Sequence, residues 1–137
     1  MIPFATTAKV RFAHVDPAGI VFYPRYFEML NGAVEDWFAL GLGQDFRHLH
    51  LDRKVGTPTV KLEATFSAPS FLGDDLDITI TPLSLGRSSC PLRVVFACRG
   101  ELRLTAEVVL VCMDLNSHQA MAWPEDIRAW ITPQLAA

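Results

Sequence analysis

The order of the predicted elements indicates an α+β domain in which a five-stranded antiparallel sheet wraps around one long central helix. One strand comes first, the long helix runs from Pro24 to about Leu40, and four further strands with hairpin connections follow it. The apolar side of the helix is broad, as expected of a helix that a sheet surrounds. With 137 residues, the chain is most simply one domain, residues 1–137, long enough to bury its own core.

Composition narrows the classes of function. Hydrophobic residues make up 50% and charged residues 20%, as in globular proteins. The net charge of −3 disfavours nucleic acid as a main partner. Met1 to Phe12 lacks a signal-peptide pattern, and no segment has the apolar length of a membrane span. The three cysteines form no CxxC pair, which argues against a disulfide framework and a zinc site. We therefore expect a protein of the reducing cytoplasm, with no membrane partner and no metal.

The first strand is predicted from the weak alternation of Thr6 to Phe12, and the turn Asp16-Pro17-Ala18-Gly19 comes after it. Asp, Pro and Gly at the first, second and fourth positions favour a type I turn. Pro24 takes the first position of the long helix, where proline is best tolerated. The amides before and after Pro24 should then be unpaired donors at the positive end of the helix dipole. A carboxylate a few residues from free amides is a plausible place for attack on a carbonyl.

The long helix carries apolar residues at helical spacing. They include Phe27, Leu30, Val34 and Phe38. Gly41 and Gly43 end the helix. Asn31 lies within the apolar stripe, which allows two interpretations. It is either a buried core amide, which needs hydrogen-bond partners, or a contact to a bound ligand.

Residues 44–56 form a loop or broken helix. Its two histidines, His48 and His50, are two positions apart and do not share a helix face, so no metal site is expected. The later elements are predicted at Thr57 to about Phe66, Leu76 to Leu85, Cys90 to Arg99, Leu102 to Leu115, and, as a short terminal helix, Pro124 to Ile131. The last strand is apolar on its second face too, at Val109, Val111 and Met113, so a neighbouring subunit should cover that face.

Residues 15–26, Val-Asp-Pro-Ala-Gly-Ile-Val-Phe-Tyr-Pro-Arg-Tyr, resemble the signature of the 4-hydroxybenzoyl-CoA thioesterase family of hotdog-fold proteins. The resemblance continues through the long helix and Gly56-Thr57-Pro58 and covers nearly the whole chain. It implies a hotdog fold and a thioester hydrolase that splits an aryl or short-chain acyl-CoA into the free acid and CoA. It also implies a homodimer or homotetramer with the active cleft between subunits. No cofactor is implied beyond the coenzyme A of the substrate.

The resemblance further implies roles for individual residues. Asp16 matches the catalytic carboxylate, which acts as nucleophile or general base. The backbone amide of Tyr23 matches the donor to the thioester carbonyl. Asn31 stands where the 4-hydroxybenzoyl enzyme has an acid that meets the ring hydroxyl, and Phe46 replaces a tryptophan near the CoA. The remaining substrate contacts are expected from Thr57, Pro58, Thr59 and Arg87.

Other assignments are left open by the sequence. Glu63 is a rival catalytic base, and His14, placed on the same predicted strand face as Asp16, could tune that carboxylate. Arg47 or Arg53 could hold the CoA phosphates, because the family's basic run is thinned in this chain. Two other classes of function also fit. The first is a hotdog hydratase or dehydratase, and the second is a non-catalytic acyl-CoA-binding protein.

Overall fold

The elements follow one another in the predicted order. In the computed structural model, which describes residues 3–136, they are β1 (Phe4–Lys9), α1 (Pro24–Asp36), β2 (Val55–Gly56), β3 (Thr59–Phe66), β4 (Asp75–Pro82), β5 (Ser89–Cys98), β6 (Glu101–Val111), β7 (Met113–Asp114), β8 (Gln119–Ala120) and α2 (Glu125–Ile131). Short 3₁₀ turns occur at Phe12–His14 and Thr132–Gln134, and π-helical turns at Trp37–Gly41 and Arg47–Asp52.

The main sheet is antiparallel and has the strand order β1-β4-β5-β6-β3. Short connections join β4, β5 and β6, whereas β1 and β3 form the two edges. A second, small sheet has the order β2-β7-β8. Because α1 and the main sheet share one hydrophobic core, the predicted α+β layout of one long helix wrapped by five antiparallel strands is confirmed.

The core lies between α1 and the main sheet. Its members on α1 and the π-helical turn that continues it are Tyr26, Met29, Leu30, Ala33, Val34, Trp37 and Phe38. On the sheet side, alternate residues such as Leu76, Ile78 and Ile80 of β4 are at most 1% exposed. Burial of each such side chain stabilises the folded state by about 1.5–3 kcal/mol. Because burial is favourable, the apolar stripe of α1 packs against the apolar face of the sheet.

The helices lie where the sequence predicts them. α1 begins at Pro24, and with its π-helical turn the helical stretch runs to Gly41. α2 begins directly after Pro124. Within the described range, residues 3–136, no helix has both the length and the apolar composition needed to cross a membrane.

The strand boundaries differ from the prediction by two residues or more in four strands, and one of these is β4, which ends at Pro82 rather than at Leu85. β1 ends at Lys9 because the ladder stops there: the Val10 N–H still donates in register to the Asp74 carbonyl at 2.8 Å, but the Asp74 N–H turns away to the Phe71 carbonyl at 2.9 Å. β3 begins only at Thr59 and β6 ends at Val111. The chain beside these two ends forms the small sheet instead, which the period of the side chains does not reveal.

His14 lies in a 3₁₀ turn rather than in a strand. Its Nδ1 accepts the backbone N–H of Arg11 at 2.8 Å. The expectation that His14 shares a strand face with Asp16 is therefore wrong. The physical reason is that β1 has already ended, and the chain must turn sharply before it reaches the Asp16 loop.

Candidate active site

The turn predicted at Asp16-Pro17-Ala18-Gly19 is present. The Gly19 N–H donates to the Asp16 carbonyl at 2.9 Å, and Gly19 has a φ of +79°, a conformation that glycine adopts without steric cost. The Ala18 N–H donates to Asp16 Oδ1 at 2.9 Å. One carboxylate oxygen therefore holds the turn, while Oδ2 makes no hydrogen bond to any residue of the range 3–136.

A narrow backbone hairpin brings the chain back from Asp16 toward α1. The Asp16 N–H donates to the Ile20 carbonyl and the Phe22 N–H donates to the His14 carbonyl, both at 2.9 Å. Val15 and Val21 also form an antiparallel bridge. These links fix Asp16 and the first residues of α1 on one ordered loop.

The N-terminus of α1 provides one unpaired amide, not two. The Arg25 N–H, which follows Pro24, donates to the Phe22 carbonyl at 2.9 Å, so the expectation that this amide is unpaired is wrong. The Tyr23 N–H finds no acceptor in the described part of the chain. It lies at the positive end of the helix dipole, where an amide can stabilise a developing oxyanion.

A cavity of about 380 Å³ opens beside Tyr23. We call it the N-terminal cavity. Its lining residues are Ile20, Val21, Tyr23, Tyr26, Phe66, Ser67, Ala68 and Pro69. Asp16 does not belong to this lining. A single chain thus places Tyr23, whose amide is predicted to donate to the thioester carbonyl, beside a cavity. The predicted catalytic carboxylate, Asp16, lies on the adjoining loop.

A buried polar network that sequence reasoning missed lies behind the N-terminal cavity. Arg103 is only 4% exposed, and its Nη1 donates to Asp74 Oδ2 at 2.8 Å and to Ser70 Oγ at 3.2 Å. The Tyr26 hydroxyl donates to Ser70 Oγ at 2.9 Å. Strict alternation along β6 from the buried Leu104 would place Arg103 on the outer face. The pairing of β5 with β6 shifts register here, since Phe96 pairs with Leu104 and Ala97 with Leu102. The bulge turns Arg103 inward.

The network supports the loop that carries Asp16. The Ser70 carbonyl accepts the Val21 N–H at 2.9 Å, and the Gly19 carbonyl accepts the Leu72 N–H at 3.1 Å. Ile20 and Phe71 form a further bridge. Residues 19–21 therefore rest on the loop 70–72, which Arg103 and its partners hold in place.

The Asp74 carboxylate should make the protein sensitive to acid. The Phe71 N–H and the Arg103 guanidinium both hydrogen-bond this carboxylate, and they hold the pKa of Asp74 below its ordinary value of 3.8. A pKa that is lower in the folded state contributes stability at neutral pH that is lost as the pH falls through that lowered value. We expect the free energy of unfolding to decline below about pH 4.

Unfolding in urea at a series of pH values between neutral and strongly acidic would measure this decline. Asp74→Asn should flatten the pH dependence without abolishing it, because Arg53 also lowers the pKa of Asp126. An unchanged slope in Asp74→Asn would contradict the assignment of the acid sensitivity to this carboxylate.

A second cavity, of about 300 Å³, lies beside the middle of α1. We call it the lateral cavity. Five residues predicted to contact substrate line it, namely Asn31, Phe46, Thr57, Pro58 and Thr59. The other lining residues are Val34, His50, Gly56, Leu110, Met113 and Leu115. Asn31 is exposed, so its interpretation as a buried core amide is wrong. Its place in the lining agrees with the alternative of a ligand contact.

The two cavities are separate within one chain. Tyr23 and Asn31 are eight positions apart, which corresponds to about 12 Å along a helix axis. Arg87, which was predicted to contact substrate, lines neither cavity. Its exposed side chain lies in the turn between β4 and β5, and its carbonyl accepts the Trp123 N–H at 2.9 Å.

The rival residues lie away from both cavities or are already engaged. Glu63 is an exposed residue whose cross-strand partner is Glu107, and its Oε1 is 3.3 Å from Lys61 Nζ. Arg53 donates from Nη1 and Nη2 to the Asp126 carboxylate at 2.8 and 3.0 Å, so it is not free to hold a phosphate. Arg47 remains exposed. Among residues 3–136 no three His, Cys, Asp or Glu side chains are grouped as a metal ion would require.

Comparisons with known proteins find similar proteins that match almost the whole chain. The sequence model of a family described as the thioesterase-like superfamily matches residues 10–131. A 1,4-dihydroxy-2-naphthoyl-CoA hydrolase of Synechococcus elongatus is 27% identical over 123 residues, which cover 89% of this chain and 90% of that protein. The structure of a gentisyl-coenzyme A thioesterase is similar with a TM-score of 0.84 at 26% identity, covering 93% of this chain and 99% of its own. A thioesterase superfamily protein from Jannaschia sp. CCS1 has a TM-score of 0.92 at 26% identity, covering 98% and 94%.

Proposed function

Since the chain belongs to the thioesterase-like superfamily and has its hotdog fold, we propose that it is an acyl-CoA thioesterase. It hydrolyses the thioester to the free acid and coenzyme A. The observation that carries the proposal is the unpaired Tyr23 amide at the N-terminus of α1, on the same ordered loop as the Asp16 carboxylate. Coenzyme A enters as part of the substrate, and the chemistry requires no cofactor.

The Tyr23 N–H donates a hydrogen bond to the carbonyl oxygen of the thioester. As the acyl carbon becomes tetrahedral, negative charge develops on this oxygen, and one aimed donor contributes about 2.7–4 kcal/mol to the transition state. Asp16 then acts in one of two ways. Its Oδ2 attacks the acyl carbon, CoA leaves as the thiolate, and water opens the resulting anhydride. Alternatively, Asp16 removes a proton from the water that attacks.

Thiol release from a panel of acyl-CoAs, followed colorimetrically, tests the proposed function. The panel contains benzoyl-CoA, its hydroxylated derivatives and short-chain acyl-CoAs, among them the enoyl thioester crotonyl-CoA. We expect thiol release from at least one of them. A hotdog hydratase would change an enoyl-CoA without releasing thiol, and a binding protein would change none. Either result would overturn the thioesterase proposal.

We further propose that the working site lies between two copies of the chain, because one chain leaves Asp16 apart from the lateral cavity. The exposed inner face of the edge strand β3 supports this. Val60 is 61% exposed, Leu62 40% and Phe66 47%, although all three are apolar and would gain by burial. A second copy on β3 gives a homodimer. Val109 and Val111, on the outer face, are only half-buried and offer the contact for a homotetramer.

The expected result is therefore a dimer or tetramer in solution. Light scattering at micromolar concentration should give a mass of two or four times 15.2 kDa. The variant Leu62→Lys tests the interface more sharply, because it places a charge on the exposed face of the edge strand β3. It should shift the equilibrium from dimer toward monomer, and thioesterase activity should fall in parallel. A 15.2 kDa species with full activity would contradict the shared site.

We propose an aryl acyl group as the substrate class. The apolar wall of the lateral cavity, including Val34, Phe46 and Leu110, suits a ring, and two of the relatives above are named for hydroxylated aryl-CoA thioesters. The proposal does not extend to the 4-hydroxybenzoyl group itself. Asn31 can hydrogen-bond a ring hydroxyl but brings no charge to it.

Asn31→Asp should move the preference of the enzyme toward hydroxylated aryl groups by about tenfold in kcat/KM, since a hydrogen bond to a charged partner is the stronger one. The ranking of the acyl-CoA panel measures this. Asn116→Asp is the matched control, because Asn116 is an exposed asparagine in the turn between β7 and β8. An unaltered ranking in the folded Asn31→Asp variant would remove Asn31 from the site.

The reducing cytoplasm remains our proposed location. Cys90, Cys98 and Cys112 are all free thiols and buried. Burial raises the pKa of Cys90 to about 12 and that of Cys112 to about 11. These two thiols stay protonated at neutral pH and are poor nucleophiles, so they support a structural role and take no part in the proposed chemistry.

A further inference from the structure

We propose that His50 accepts a hydrogen bond from a hydroxyl group of the acyl moiety and thereby selects hydroxylated aryl thioesters. The inference rests on the proposed thioesterase function and assigns a residue that determines its specificity. It comes from the hydrogen bonding of the imidazole and from the place of His50 in the lateral cavity.

The backbone fixes which nitrogen of His50 carries a hydrogen. His50 Nδ1 lies 2.9 Å from the carbonyl oxygen of Phe46. A carbonyl can only accept, so Nδ1 must be the donor. In the neutral ring the other nitrogen, Nε2, then has no hydrogen and is an acceptor. Within residues 3–136 the Nε2 atom has no hydrogen-bond partner.

The π-helical turn Arg47–Asp52 holds the ring at the cavity wall. The Arg53 N–H donates to the His48 carbonyl at 3.0 Å, which is the wider hydrogen-bond spacing of a π turn. The Phe46 ring packs at a steep angle against the imidazole, with centroids 4.7 Å apart. His50 is half-buried. The backbone and an aromatic neighbour therefore orient the acceptor before any ligand arrives.

The lateral cavity has few polar side chains, so the His50 acceptor can influence which ligand binds. Apolar side chains make up most of the wall, and the polar side chains besides His50 are Asn31, Thr57 and Thr59. In such a pocket a few polar groups fix the orientation of the ligand. A site built to hydrogen-bond a hydroxyl rejects the analogue that lacks it, because the site's own polar group is then left unpaired.

His48 provides a matched control two residues away. Its Nδ1 lies 3.1 Å from Asp52 Oδ2, and its side chain is 49% exposed. It is not part of the lining of the lateral cavity. A histidine of the same π turn thus differs from His50 in facing an acid at the surface rather than a cavity.

Binding of non-hydrolysable thioethers tests the proposal without relying on turnover. The probes are phenacyl-CoA and its 2-, 3- and 4-hydroxy derivatives, with affinities measured by isothermal titration calorimetry. The wild type should bind at least one hydroxylated probe about tenfold more tightly than phenacyl-CoA. His50→Phe should remove most of this preference, because it should weaken binding of the preferred hydroxylated probe several-fold more than binding of phenacyl-CoA. His50→Gln, which keeps an acceptor in reach, should retain part of it, and His48→Gln should change nothing.

Equal binding of all four probes by the wild type would overturn the proposal. So would a His50→Phe variant that weakens every probe alike, since that is the result of a structural role. The proposed function is judged separately by thiol release from benzoyl-CoA and its hydroxylated derivatives. Hydroxyl preference without thiol release would reject the thioesterase alone, and thiol release without hydroxyl preference would reject the role of His50 alone.

Discussion

Asp16→Asn should lower thioester turnover by roughly 10²-fold or more while leaving the fold intact. Asparagine keeps an oxygen in place of Oδ1, so it can still accept the Ala18 N–H that closes the turn. It replaces the unbonded Oδ2 with an amide and removes the negative charge. Both routes proposed for the reaction, attack on the acyl carbon and removal of a proton from water, need that charge.

The chain offers a matched control for this variant. Asp114 is also half-buried, and its Oδ1 accepts the Asn116 N–H at 2.8 Å. Asp16 Oδ1 accepts the Ala18 N–H, also from two residues further along the chain, in the same way. Asp114→Asn should therefore have nearly normal turnover. Melting temperature, oligomeric state and binding of an acyl-CoA thioether should be unchanged in Asp16→Asn. Near-normal turnover in the folded Asp16→Asn variant would mean that another group performs the chemistry.

The features of the site that depend on neighbouring residues in the chain could be read from the sequence. Asp16 and Gly19 define their turn through bonds between residues two and three apart, and Pro24 marks the first position of α1 because its side chain fixes its own φ. The broad apolar stripe likewise predicted α1 and the face of it that is buried. Local chemistry decides each of these features, so one sequence is enough to predict them.

One feature that failed is itself local: the Arg25 amide is paired with the Phe22 carbonyl three residues back. The other failures depend on contacts distant in sequence. Asn31 is exposed because the lateral cavity opens where a strict helical pattern would place core. Strict alternation along β6 would put Arg103 on the outer face, yet a register shift against β5 reverses it. No local signal marks that bulge. A strand with a charged residue inside a mostly apolar run is consistent with either face until its partner strand is known.

Loss of the buried cation at Arg103 should have the largest effect on stability. Arg103→Met leaves the Asp74 carboxylate, whose side chain is 9% exposed, without its buried cationic partner, and removal of one member of a buried ion pair costs about 3–5 kcal/mol. Methionine fills similar volume, so the loss is of charge and hydrogen bonds rather than of packing. Urea unfolding at fixed protein concentration measures the difference, because the stability of an oligomer depends on concentration.

Two further variants separate the buried pair from surface charge. Arg99 lies 3.4 Å from the same carboxylate, but its side chain is 74% exposed, so Arg99→Met should cost less than about 1 kcal/mol. Adding Asp74→Asn to Arg103→Met should recover part of the lost stability, since the double variant no longer buries an unpaired charge. If Arg103→Met and Arg99→Met destabilised the protein equally, the Asp74 pair could not be what holds the loop 70–72 against the segment that carries Asp16. The 10²-fold loss expected from Asp16→Asn would be unaffected, because it depends on the carboxylate itself and not on the network behind it.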